Sequence, residues 1–86
     1  MILHTTEVRP LPDYKLFIRF NNGLSGEVSL AGELDGEVFE ALRDPAVFAT
    51  ACHHPVMRTA AWANGADFAP EFLCELLQAQ REYQAA

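Results

Sequence analysis

The stretch that decides the fold reads Trp62-Ala63-Asn64-Gly65-Ala66-Asp67-Phe68-Ala69-Pro70-Glu71. A tryptophan side chain offers a large apolar surface, so we expect Trp62 to be buried at the end of a strand. An Asn-Gly pair is typical of tight turns, because both residues tolerate a positive φ. Proline is favoured at the first position of a helix. The stretch therefore predicts a buried aromatic anchor, a turn and the start of the last helix.

Alternation of apolar and polar residues predicts a half-buried strand over residues 14–20. The Asn21-Asn22-Gly23 segment follows this strand and predicts a tight turn. The chain then returns as a partner strand over residues 24–30, in which Gly26 indicates a bulge. A first strand over residues 5–11 is predicted at the edge of a sheet or at a bulge, because of Pro10 and Pro12.

Helical periodicity indicates two helices in the rest of the chain. Asp35 is placed to cap the first, over about residues 36–42. The apolar residues of this helix fall on one inward stripe, which consists of Val38, Phe39 and Leu42. A last strand over residues 57–62 leads to the final helix, over about residues 70–83.

Strands that are mostly joined by hairpins, with helices on one face, make an α+β domain of two layers. We expect a small, mainly antiparallel sheet of about four or five strands with two helices packed on it. The chain of 86 residues is long enough for one such domain, so we assign residues 1–86 to a single unit.

The chain is acidic, with a formal net charge of −6 and a pI near 4.8. Affinity for nucleic acids comes mainly from lysine and arginine, so we expect no direct binding to DNA or RNA. Four acids that lie close together in sequence form what we call the acidic face: Glu33, Asp35, Glu37 and Glu40. This face is either a solvated helix surface or a docking surface for a basic partner protein.

No apolar run approaches the ~20 residues of a membrane-spanning helix, and the N-terminus has no basic leader before an apolar stretch. We therefore expect a cytoplasmic, bacterial protein without membrane association. In that compartment Cys52 and Cys74 are expected to be free thiols.

No motif for catalysis or for cofactor binding is present, and we predict neither. His53 and His54 are adjacent, so on a strand they point to opposite faces. A zinc site needs three or four ligands, which this region supplies only if Cys52 and Cys74 join the two histidines. We predict no metal site, although the sequence leaves open whether these four residues converge in space.

A candidate binding site consists of Trp62, Asn64, Gly65 and Asp67. In one interpretation Trp62 belongs to the core, and Asp67 caps the last helix or braces the turn. In the other, Asp67 makes a polar contact in a groove beside the tryptophan ring, which would hold a small ligand or substrate.

The opening stretch also carries a family resemblance. Residues 62–73 resemble the W-x-N-G-x-D closing segment of the domain-of-unknown-function 2442 family, a family of small bacterial domains. The Phe20-Asn21-Asn22-Gly23 segment resembles its F-x-[ND]-G turn, and residues 8–16 and 38–48 resemble its opening strand pair and its first helix. The resemblance covers residues 7–75.

The resemblance implies an α+β fold with no assigned activity. It also implies small proteins that are often encoded beside another small, toxin-like protein. Some members resemble the first half of chains that continue into a helix-turn-helix domain. We expect the helix-turn-helix domain to be missing from these 86 residues.

These observations lead to one leading hypothesis and two alternatives for the function. The leading hypothesis is a non-enzymatic interaction module, the acidic partner of a small basic, toxin-like protein. The first alternative is a small ligand-binding protein or enzyme with a site near Trp62, Asn64 and Asp67. The second is an accessory domain of a transcription regulator that has no helix-turn-helix of its own. We also predict a homodimer, in which Phe17 on the polar side of its strand makes the contact.

Overall fold

The computed structural model describes residues 2–85 of the chain, with side chains described as far as Arg81. The elements follow one another as β1 (Thr5–Leu11), β2 (Lys15–Phe20), β3 (Ser25–Ser29), α1 (Glu37–Glu40), a 3₁₀ turn (Ala41–Arg43), α2 (Pro45–Phe48), β4 (Cys52–His53), β5 (Ala60–Ala61) and α3 (Pro70–Ala85). The predicted α+β class is confirmed. The five strands are divided between a three-stranded and a two-stranded antiparallel sheet.

The larger sheet has β2 at its centre, between β1 and β3. The alternation that predicted this strand is confirmed, because Leu16, Ile18 and Phe20 are buried. Val28 of β3 lies opposite Leu16 and is buried on the same face. This face forms the core, while the intervening residues of β2 point to the outside of the sheet.

The turn after β2 also has its predicted position. Phe20 N–H donates to the Leu24 carbonyl at 2.8 Å, and Gly23 has a φ of 91°. The strand itself begins at Lys15 rather than at residue 14, because Asp13 and Tyr14 adopt φ values of 63° and 59°. Both residues belong to the turn between β1 and β2.

The bulge predicted at Gly26 is wrong. The pairing of β2 with β3 continues without a shift through the Ile18 and Gly26 pair. The glycine is required instead by the approach of α3, since a Cβ atom at this position would lie 3.2 Å from Leu77 Cδ1 and 2.8 Å from Arg81 Nη2.

Helix α3 also covers the free edge of β3. The side-chain amide of Gln80 accepts from Ser29 N–H and donates to the Ser29 carbonyl, both at 2.9 Å. The Arg81 guanidinium donates to the Ser25 carbonyl. On the opposite edge, β1 contains Pro10, which has no N–H to offer another strand, as the sequence predicts.

The first helical region differs from its prediction. Asp35 does not cap α1, since Gly36 occupies the cap position without a side-chain hydrogen bond. Val38 is 48% exposed, although Leu42 is buried as expected. The reason is that α1 forms a single turn and then tightens into a 3₁₀ turn, so the inward stripe of a longer helix does not develop. A side-chain cap is present at α2 instead, where the Asp44 carboxylate accepts from Ala46 N–H at 2.9 Å.

The strand predicted over residues 57–62 is also shorter than expected. His54 Nδ1 accepts from Val56 N–H at 3.2 Å and Met57 N–H at 3.0 Å, which folds this segment into a turn. Arg58 follows with a φ of 54°, so only Ala60 and Ala61 remain in β5.

Helix α3 closes the core from the other side. Leu73 and Leu77 are buried, and they pack with the apolar face of the larger sheet in one cluster. Among the described helices, none combines the length and the apolar character required to cross a membrane.

We predict that Gly26→Ala lowers the free energy of unfolding by about 1–3 kcal/mol, because the added methyl group meets Leu77 and Arg81. Gly32→Ala is the matched control, since a Cβ atom there meets nothing within 4 Å. Urea denaturation monitored by tryptophan fluorescence measures both variants. Equal stability of the two variants would show that α3 does not approach β3 this closely.

Candidate functional site

Trp62 is the centre of the core beneath the candidate site. Its side chain is 4% exposed, and its indole Nε1 donates to the Phe48 carbonyl at 3.0 Å. A buried N–H without an acceptor would cost about 1–3 kcal/mol, so this hydrogen bond fixes the ring relative to the end of α2. The predicted burial of Trp62 is confirmed.

The aromatic side chains form a connected series around this ring. Trp62 lies 5.8 Å from Phe48 and 5.7 Å from Phe68, measured between ring centroids. Phe68 stacks on Phe72 at 5.4 Å and on Phe39 at 4.6 Å. The series connects α1, α2 and α3, so Trp62 and the segment after it fix the positions of all three helices.

The Asn-Gly turn has the predicted geometry. Trp62 N–H donates to the Ala66 carbonyl at 2.9 Å, and Gly65 N–H donates to the Trp62 carbonyl at 3.0 Å. Gly65 has a φ of 90°, which explains the choice of glycine. Asn64 Oδ1 accepts from Ala66 N–H at 3.1 Å and stabilises the turn from inside.

Asn64 also connects this turn to α1. Its Nδ2 donates to the Val38 carbonyl at 3.1 Å. Both groups of one side-chain amide are thus used, one within the turn and one on the helix that carries the acidic face. The candidate binding site around Asn64 and the acidic face, which the sequence analysis gave as separate sites, are therefore neighbours.

Asp67 does not take the capping role that one interpretation gives it. Its backbone forms an isolated bridge with Ala61, and among residues 2–81 no hydrogen bond to its carboxylate is formed. The groove described below does not include Trp62, Asn64 or Asp67. The burial of the tryptophan ring gives a ligand at this point little aromatic surface to contact.

The acidic face lies on the surface around α1. Glu37 and Glu40 are exposed, and Glu33 is half-buried. Asp35 forms an ion pair with Arg43, with 3.0 Å between Oδ1 and Nη2. Arg43 Nε also donates to the Leu34 carbonyl at 3.1 Å, so this base is directed toward the start of the acidic face.

Phe17 lies on the outer face of the larger sheet, as the alternation predicts. The guanidinium carbons of Arg9 and Arg19 lie 4.7 Å and 6.0 Å from the centroid of its ring. Glu7 lies near both arginines, at 2.8 Å from Arg9 Nε and 3.9 Å from Arg19 Nε. The ring is half-buried among these charged groups.

Among the described residues, the cysteine and histidine side chains do not converge on a shared metal site. Thr5 Oγ1 and His53 Nδ1 share a hydrogen bond of 2.7 Å, which joins β1 to β4. Cys52 is exposed and Cys74 is buried, and both are free. Within the described part of the chain, no three histidine, cysteine or acidic side chains are arranged to hold a metal ion.

A groove of about 470 Å³ lies at the turn between β1 and β2, and no pattern in the sequence predicted it. It is lined by residues 10–14 together with Pro45, Phe48 and Ala49. Tyr14 forms one wall, with its ring edge-on to Phe48 at 5.4 Å and its hydroxyl donating to the Arg43 carbonyl. The closely spaced prolines before Asp13 were the available signal, but the segments that meet here are distant in sequence.

These features define a small α+β domain in which an Asn-Gly turn closes an aromatic core and attaches an acidic helix to it. Residues 5–78 match the family described as "Protein of unknown function (DUF2442)". The chain belongs to this family, and the resemblance found in the sequence is confirmed. No curated protein and no solved structure matches the chain.

We predict that Asn64→Asp separates the two roles of this side chain. Aspartate keeps an oxygen for Ala66 N–H but loses the donor to the Val38 carbonyl, whereas Asn64→Ala loses both. Each hydrogen bond contributes about 0.5–1.5 kcal/mol, so Asn64→Ala is expected to be the less stable variant. Hydrogen exchange should show faster exchange in α1 for both variants. Unchanged exchange in α1 would show that Asn64 does not hold this helix.

Proposed function

We propose that this protein is a non-enzymatic interaction module whose acidic face binds a small basic partner protein. The observation that carries the proposal is the way α1 is held. The Asn64 side-chain amide binds the Val38 carbonyl, and the Phe39 ring stacks on Phe68, while Glu37 and Glu40 remain exposed. A helix of one turn has little stability of its own, so these contacts position its carboxylates.

The composition of this surface supports binding to a protein. Val38 is 48% exposed between the two glutamates, so the surface combines an apolar centre with a charged surround. Interfaces between proteins commonly have such a centre and a polar rim. The negative charge would increase the rate of encounter with a basic partner.

The charges of the molecule are also unevenly distributed. Arg9, Lys15 and Arg19 lie on the outer face of the larger sheet, opposite its core face. The base nearest the acidic face, Arg43, pairs with Asp35 and leaves Glu37 and Glu40 without a cation among residues 2–81. A basic partner can therefore approach α1 without competing with a cation of the same chain.

We further propose a bacterial cytoplasm as the compartment of this interaction. Cys52 and Cys74 are both free, which is the usual state of cysteines in a reducing environment.

We predict that Glu37→Gln combined with Glu40→Gln weakens the complex with the basic partner. Exposed charge pairs contribute about 0.2–1 kcal/mol each, so the double variant should bind a few-fold to about thirtyfold more weakly. The matched control is Glu27→Gln combined with Glu75→Gln, which changes the net charge equally at exposed positions outside α1.

The measurement is co-expression with the products of the adjacent reading frames, followed by titration of the purified pair. The proposal expects a complex with a short basic protein that the control variant retains. Absence of any complex at micromolar concentration, or equal weakening by both double variants, would contradict it.

We also propose that the chain forms a homodimer through the sheet face around Phe17. An aromatic ring set among arginines is a common anchor of protein interfaces. The ring of Phe17 is half-buried in the single chain and lies on an open sheet face.

We predict that Phe17→Glu converts this dimer to a monomer without unfolding it, because the new carboxylate lies beside Arg9 and Arg19. Phe17→Tyr is the control that keeps the ring and should keep the dimer. Light scattering gives the mass and circular dichroism the fold. A monomeric mass for the unaltered protein would show that this face does not join two copies.

A further inference from the structure

We propose that the groove between residues 10–14 and α2 binds a short extended segment of the basic partner, with an apolar side chain inserted between flanking arginines or lysines. The inference rests on the proposed function, to which it adds a second contact and the chemistry of the segment that makes it. We call this site the proline groove.

The size and lining of the proline groove suit a peptide segment. Its volume of about 470 Å³ lies within the range of ~300–1,000 Å³ that is usual for binding pockets. Leu11 and Tyr14 are half-buried and provide apolar and aromatic surface. An inserted apolar side chain would be removed from water against these residues.

The polar groups that line the groove favour a ligand that donates hydrogen bonds over one that accepts them. Three of its eight lining residues are prolines, which have a carbonyl but no N–H. Its one charged lining residue is Asp13, which is exposed and has no ion pair among residues 2–81. Arginine and lysine side chains carry only donors, so they match a wall that is poor in N–H groups and holds a free carboxylate.

None of the cations within residues 2–81 forms an ion pair with this carboxylate. Arg43 contributes its carbonyl to the Tyr14 hydroxyl, but its guanidinium pairs with Asp35. Asp44 adds a second exposed carboxylate, which caps α2 directly before the lining residue Pro45. Charge complementarity therefore favours a cationic segment.

The backbone of one wall is strained. Asp13 and Tyr14 both have φ near 60°, a region that costs a non-glycine residue about 1–2 kcal/mol. A tyrosine is uncommon in this region. The conformation directs Tyr14 to its contacts with Phe48 and Arg43, and strain of this kind is often found at binding sites.

The proline groove and the acidic face are linked through Arg43. The Tyr14 hydroxyl donates to the Arg43 carbonyl, and Arg43 pairs with Asp35 of that face. In the proposed complex the partner contacts both surfaces.

The test uses defined peptides and the full chain labelled with ¹⁵N. The probes are acetyl-Arg-Leu-Arg-amide, acetyl-Arg-Gly-Arg-amide, which lacks the apolar side chain, and acetyl-Glu-Leu-Glu-amide, which has the opposite charge. Two-dimensional NMR follows the backbone amides of Leu11, Asp13, Tyr14 and Ala49. We expect the first peptide to shift these amides, the second to bind more weakly, and the third to cause no shift.

The Asp13→Asn variant tests the role of the carboxylate. Asparagine adopts positive φ readily, so the turn should stay folded. We expect the dissociation constant for acetyl-Arg-Leu-Arg-amide to rise about two- to fivefold, as for the loss of one exposed ion pair. The control is Glu75→Gln, which removes one exposed charge on α3 and should leave binding unchanged.

Three results would overturn the proline groove as a binding site. They are equal binding of the acidic peptide, equal weakening by Glu75→Gln, and a lack of shifts in the groove at millimolar peptide. Shifts confined to the amides of Glu37, Val38 and Glu40 would overturn the groove while supporting the acidic face as the binding surface. The proposed function fails separately, if co-expression gives no complex with a basic protein.

Discussion

The hydrogen bond between the Trp62 indole and the Phe48 carbonyl is the constraint on which the rest of the structure depends. An indole N–H in an apolar interior needs an acceptor, and the acceptor here is a carbonyl at the last residue of α2. The bond therefore places a short helix, which could not persist alone, against the end of β5. The stacked rings of Phe68 and Phe39 extend this arrangement to α1.

The elements that could be predicted from the sequence are those with local chemistry. Alternation identified β2, and Asn-Gly or Asn-Asn-Gly segments identified both tight turns, because their φ values depend on the residues themselves. The exposure of Val38 could not be predicted, because α1 ends after one turn and is held by Asn64 from a distant segment. The extension of the turn after His54 through Met57 and Arg58 could not be predicted for a related reason, since the histidine acts here through its ring nitrogen.

The candidate surfaces show the same division. The acids of the acidic face lie within eight residues of the chain, so their grouping could be predicted from the sequence. The proline groove joins the turn after β1 to α2, and no periodicity relates two segments some thirty residues apart. The link between the two surfaces passes through a side-chain hydroxyl and a backbone carbonyl, a contact that only a folded chain reveals.

The amide of Gln80 imitates the backbone of a neighbouring strand where it meets Ser29. This contact between Gln80 and Ser29 matters while the protein is being synthesised. The β2–β3 hairpin precedes α3 in the chain, so it emerges from the ribosome before the side chain that shields its edge. During that interval the nascent hairpin can pair with a strand of another molecule. Folding of α3 thus covers an edge at which another strand could pair, as well as completing the core.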